Sequence, residues 1–182
     1  MIHLRSWFER DTEFKKFIQV LPELVLLMGV TTFFGGLLAN MFFSNDSLYA
    51  SDRAVFADLQ KMGIIKVGLI VSVIGPIIEE ATFRFLPLGF TFLTLWLINK
   101  KQEIGLWSVL GTILASSILF GYIHGPGNIL IQGISGLVLA VVFVKYSSFG
   151  RSPVWFFKGW AASTLLHGSF NGVILVAATM HR

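Results

Sequence analysis

Cysteine is absent from the 182 residues, which removes disulfides, thiolate metal sites and thiol nucleophiles together and leaves the redox compartment open. Charge is scarce as well. Only 13% of the residues are Asp, Glu, Lys or Arg while 54% are apolar, against about a quarter charged in a soluble domain. With a mean hydropathy of +0.75, much of the outer surface must face lipid, because a soluble fold of this length presents a largely polar exterior. A soluble enzyme or binding module is excluded on that ground. A basic stripe is also lacking: the net charge of +4 and pI near 9.6 come from Lys and Arg placed singly or in pairs between apolar runs. That is the pattern of membrane-orientation charges and not of a nucleic-acid interface.

No short uninterrupted apolar core marks a cleavable leader, since Arg5, Glu9, Arg10, Asp11, Glu13, Lys15 and Lys16 break up the first residues; the N-terminus is expected to be retained. Trp7, Phe8, Phe14, Phe17 and Ile18 alternate with Arg10, Lys15 and Lys16, a composition suited either to a helix along the lipid headgroups or to a polar tail. Residues 1–20 are therefore set apart as an interfacial or cytosolic segment, ahead of a transmembrane domain over 21–182.

What is present is a series of apolar runs, and about 20 apolar residues cross a bilayer as a helix. The runs are Leu21 to Phe43, Ile64 to Ile98, Leu106 to Ile123, Ile129 to Val144 and Phe156 to Met180. Between them lie a polar loop over Ser44 to Lys61, a charged turn over Asn99 to Glu103, the turn Gly125-Pro126-Gly127-Asn128, and a Ser/Gly/Pro loop carrying Lys145, Arg151 and Lys158. The second run is broken by Pro76 and Pro87 and is too long for one straight span, so it crosses once and continues along an interface, or crosses twice. A single crossing puts Arg5, Arg10, Lys15, Lys16, Lys100, Lys101, Lys145, Arg151 and Lys158 on the inner side, against Arg53, Lys61 and Arg182 outside. The expected fold is thus an all-α polytopic bundle of about five to six crossings, with five favoured and the N-terminus cytosolic.

The polar residues inside these runs carry the chemistry. Glu79, Glu80 and Arg84 stand in the second run, and each ionisable group near mid-bilayer costs about 2.5 to 3.5 kcal/mol. Glu80 and Arg84 are spaced i, i+4 with the acid first, the favourable order for an ion pair, which leaves Glu79 as a second, unpaired acid. A desolvated carboxylate has the raised proton affinity that a general base needs. Phe120 and His124 close the third run; the midpoint between positions 79 and 124 falls on the charged turn at Lys101-Gln102, so antiparallel helices bring Glu79 and His124 to one depth. In the last run His167 and Asn171 share a helix face at i, i+4. Each has a plain structural alternative: an ion pair pinning two helices, an interfacial histidine, an interhelical amide bond. Gly133, Gly136 and Ala140 recur at helical spacing and permit close packing, whereas His3 and His181 are solvated.

One glutamate, two histidines and an asparagine in a low-dielectric pocket suit hydrolysis by activated water. Glu79, helped by His124, takes the proton, and His167 and Asn171 donate to the developing oxyanion.

These residues resemble the CAAX prenyl protease and bacteriocin-processing (CPBP, or Abi) membrane proteases. The E-E-x-x-x-R motif of that family matches Glu79, Glu80 and Arg84; F-x-x-x-H matches Phe120 and His124; H-x-x-x-N matches His167 and Asn171. Gln132-Gly133-Ile134-Ser135-Gly136 also looks like the glycine-bearing helix between the two histidines, and the resemblance spans a core of about residues 64–176. It implies an all-helical intramembrane endopeptidase in which the first glutamate and first histidine activate water and the second histidine and asparagine form the oxyanion site, with Glu80, Arg84 and Phe120 in support. It implies a peptide or lipidated-peptide substrate in a bacterial plasma membrane, membrane lipid as the other partner, and no nucleic acid. No cofactor is expected: zinc on Glu79, His124 and His167 is the alternative, disfavoured because no H-E-x-x-H helix is present and Asn is an uncommon zinc ligand. Relative to the family, the chain is shorter than the eukaryotic prenyl proteases and Leu86 to Ile98 is longer than in the usual bacterial form, which leaves the substrate open. Two other classes compete, a non-catalytic membrane adaptor or bacteriocin-immunity protein, and a proton-coupled transporter, although no duplicated halves with discontinuous helices are visible.

Overall fold

The computed structural model describes residues 13–43, 61–98, 102–125, 127–147 and 153–180. It is all-helical, with no strand among the described residues, and its rods are α1 (Phe14–Phe42), α2 (residues 64–98), α3 (Gln102–Ile123), α4 (Asn128–Tyr146) and α5 (Pro153–Met180). The chain is a multi-pass membrane protein. Among the described residues, four helices are long and apolar enough to cross a membrane, namely Phe14–Phe42, Gly105–Ile123, Asn128–Tyr146 and Phe156–Met180. That is fewer than the five to six crossings expected, and the difference lies in α2.

The two prolines do not break α2. Helical backbone continues from 64 to 98, but its hydrogen-bond ladder widens twice, into π-turns at Ile70–Ile74 and Ala81–Phe85, with α-helix at Ile64–Leu69, Gly75–Glu80 and Leu86–Ile98. In each widened turn the closing N–H reaches five residues back, from Gly75 to the Ile70 carbonyl and from Leu86 to the Ala81 carbonyl. Pro76 and Pro87 each follow a π-turn by two positions. A proline has no N–H and its ring crowds the carbonyl four residues earlier, so one extra residue in the preceding turn relieves the clash and keeps the helix running.

The bundle is built around α4, whose span is 56% buried against 17% for α1. One cluster joins Leu88 and Phe92 of α2, Val109 and Ile113 of α3, and Ala140, Phe143 and Val144 of α4. A second, on the other side of α4, joins Phe17 and Met28 of α1 to Leu139, Val142 and Tyr146 of α4 and Ala162 and Leu166 of α5. Gly133, Ser135, Gly136 and Ala140 are all buried, the small-residue contact that lets helices pack closely in lipid. Hydroxyl pairs add polar links, Thr32 to Ser135 at 2.6 Å and Thr91 to Thr112 at 2.9 Å.

Helix ends depart from the hydropathy pattern where amphipathic residues take part. α1 starts at Phe14, ahead of Leu21, because Phe17 is fully buried edge-on against Tyr146 at 4.9 Å between centroids. Lys145 and Lys158, assigned above to a loop, lie in the last turn of α4 and within α5; long aliphatic stems let such residues extend a helix while the ammonium stays polar. Trp7, Phe8 and the rest of residues 1–12, the loop at 44–60, the turn at 99–101, Pro126, Arg151, and the terminal His3 and His181 are outside the described residues.

Candidate active site

Glu79 and Glu80 end the short α-segment between the two π-turns of α2, and Arg84 sits inside the second. The pairing read from the i, i+4 spacing is present: Arg84 Nη1 lies 3.2 Å from Glu80 Oε1, both side chains at 0% exposure. The Arg84 guanidinium also stacks over the Phe120 ring, 4.2 Å from its centroid, a cation–π contact strengthened by desolvation.

His167 of α5 joins this pair to the other acid. Its Nδ1 is 2.9 Å from the same Glu80 Oε1, and its Nε2 is 3.6 Å from Glu79 Oε2. A carboxylate ion-paired to arginine only accepts, so Nδ1–H donates to Glu80 and the ring orientation is set from that side. Glu79, read from spacing as the unpaired acid, therefore stands beside a histidine held by its neighbour Glu80. The adjacent glutamates differ in access: Glu79 keeps 30% of its side chain exposed while Glu80 is sealed.

α3 brings Phe120 and His124 to the same corner. The Phe120 ring is 4.7 Å from the His124 ring and 5.9 Å from the His167 ring, edge-on to both. His124 Nδ1 lies 2.7 Å from the Phe120 carbonyl; a carbonyl only accepts, so Nδ1 carries a proton and Nε2 is the acceptor of the neutral ring. Gly125, at φ 119°, takes the left-handed conformation that ends α3, and Asn128 Nδ2 donates to the His124 carbonyl at 2.6 Å. Asn128 was read only as a turn residue; its spacing from His124 was the available signal.

Asn171, one turn beyond His167 on α5, donates from Nδ2 to the Val71 carbonyl of α2 at 3.0 Å. Between the two, Gly168 presses its backbone on the Ser72 carbonyl so closely that a Cβ there would collide with it. Spacing gave no sign of Val71, Ser72 or Gly168; the available signals were Pro76, five positions after Val71, and the glycine beside His167.

Among the described residues, no group of three or more His, Cys, Asp and Glu is arranged to hold a metal ion. The alternative set of Glu79, His124 and His167 is thus not gathered as zinc ligands.

A family model described as Type II CAAX prenyl endopeptidase Rce1-like matches residues 61–173, from the start of α2 to the final turns of α5. No curated protein and no solved structure matches the chain.

Proposed function

We propose a mechanism from one premise: the chain belongs to the Type II CAAX prenyl endopeptidase Rce1-like family and is a membrane-embedded peptidase with a Glu/His site. The observation that carries the mechanism is His167 between two carboxylates, one sealed and one accessible. A water beside the 3.6 Å gap between Glu79 and His167 can hydrogen-bond to both. Glu79, assisted by His124, accepts a proton from that water as its oxygen bonds to the substrate carbonyl carbon. With a carboxylate oxygen facing each ring nitrogen, His167 is set to donate from both Nδ1 and Nε2. Its Nε2–H and the second amide hydrogen of Asn171 donate to the oxyanion, each such donor contributing about 10²–10³ in turnover. When the C–N bond breaks, Glu79 returns the proton to the leaving amine. Glu80, Arg84 and Phe120 hold the histidine ring and take no proton.

The catalytic core is residues 64–176, and α2 crosses once to make five crossings with a cytosolic N-terminus. Unbroken helical backbone through α2 and the basic residues of the inner loops support that count. The substrate is a peptide presented from the lipid of a bacterial plasma membrane, lipidated at its C-terminal motif as the family description names, or a bacteriocin-type precursor. The test is cleavage of a farnesylated CAAX peptide and its unlipidated counterpart by the chain in liposomes. Wild type is expected to cleave the lipidated peptide, with Glu79→Gln slower by about 10²–10⁴-fold; Glu79→Gln at the wild-type rate would dismiss the mechanism.

A further inference from the structure

The first π-turn leaves the Val71 carbonyl without a helical donor, and the reason follows from the sequence. In an α-helix the Val71 carbonyl would accept from Gly75, but the Gly75 N–H goes to Ile70. In π register it would accept from residue 76, which is Pro76 and has no N–H. An unmet carbonyl in a membrane interior costs several kcal/mol. Asn171 Nδ2 meets it at 3.0 Å.

We infer that Asn171, besides facing the reaction, is a positioning residue: it locks the Pro76 π-turn and through it the rotational setting of Glu79. The extra residue in a π-turn rotates everything after it by about one helical position, roughly 100°. Glu79 lies just over one helical turn beyond it, and its carboxylate folds back over Gly75, with Oε1 3.8 Å from where a Cβ at Gly75 would stand. α5 therefore grips α2 at three successive points: His167 on the two glutamates, Gly168 on the Ser72 carbonyl, Asn171 on the Val71 carbonyl. Without the amide, the orphaned Val71 carbonyl is drawn toward the Gly75 N–H against the crowding of the Pro76 ring on the Ser72 carbonyl, and Glu79 is no longer held toward His167. The catalytic importance of this setting rests on the mechanism proposed above; the tether itself does not.

Two readouts separate the tether from that mechanism. Val71-Ser72 is the only Val-Ser pair in the sequence, so labelling valine carbonyls with ¹³C and serine nitrogens with ¹⁵N yields one cross-peak from the protein in lipid vesicles. Asn171→Ala should move its carbonyl shift upfield, as loss of a hydrogen bond does; an unmoved peak overturns the tether whatever the activity. Turnover of a farnesylated CAAX peptide is then compared for Asn171→Ala in the wild-type and Pro76→Ala backgrounds. Pro76→Ala restores an N–H five residues from Val71, so the part of the Asn171→Ala penalty that comes from a misplaced reacting group, about 10²-fold, should shrink by at least about tenfold there, while the loss of the oxyanion donor remains. An undiminished penalty, or a Pro76→Ala protein whose own turnover is lost together with a Val71 peak unshifted by Asn171→Ala, overturns the positioning role. Should Glu79→Gln retain full turnover while the Val71 peak shifts, the mechanism fails and the tether stands.

Discussion

At Ile70–Ile74 the widened turn of α2 lies against the His167–Asn171 stretch of α5, whereas at Ala81–Phe85 the same kind of turn carries Arg84 inward to Phe120 and borders an apolar cavity. That cavity measures about 820 Å³ and is lined by Thr82, Phe83 and Pro87 of α2 and by Gly111, Ala115 and Ser116 of α3, among others. Both turns have a proline two positions beyond them, so their origin is shared. What differs is the neighbour. At the first, a glycine and an amide on α5 bring the backbones together and occupy the spare carbonyl; at the second, a buried ion pair holds one side of the helix while small residues on α3 leave space on the other. A proline-widened turn is thus left closed or roomy by the helix packed on it.

Glu80→Ala should break the second turn most severely, because it leaves Arg84 fully buried without its carboxylate. A stability loss of about 3–5 kcal/mol is expected, read from unfolding in mixed micelles, and a loss under about 1 kcal/mol would show that the ion pair does not hold that turn. A matched pair of glycine substitutions sharpens the contrast. Gly168→Ala drives a Cβ into the Ser72 carbonyl at the first turn and should cost about 1–3 kcal/mol, with turnover falling alongside. Gly111→Ala, bordering the cavity beside the second turn, meets nothing within 4 Å and should be neutral or stabilising by up to about 1 kcal/mol. Equal penalties at the two glycines would erase the distinction between a closed and an open turn.

The i, i+4 pairs were legible because they depend only on helix geometry: Glu80 with Arg84, Phe120 with His124, and His167 with Asn171. Placing His167 between both glutamates was not, since that depends on how α5 is set against α2, a relation between helices that no within-helix spacing encodes. Pro76 and Pro87 pointed to breaks in α2; the chain instead widens its ladder, which succeeds at Val71 because α5 supplies a donor, a partner one hundred residues away in sequence. Apolar counting misplaced the start of α1 for a similar reason, because Phe17 earns its burial from Tyr146 on a distant helix.

The central claim is that Glu79 and His167 act on a single water, and a double-mutant cycle on turnover tests it most directly. Single Glu79→Gln and His167→Gln variants and the double variant are compared in liposomes on one lipidated peptide. Groups acting as a unit are strongly non-additive, so the double variant should be no slower than the slower single one; rate losses that multiply would contradict the shared site.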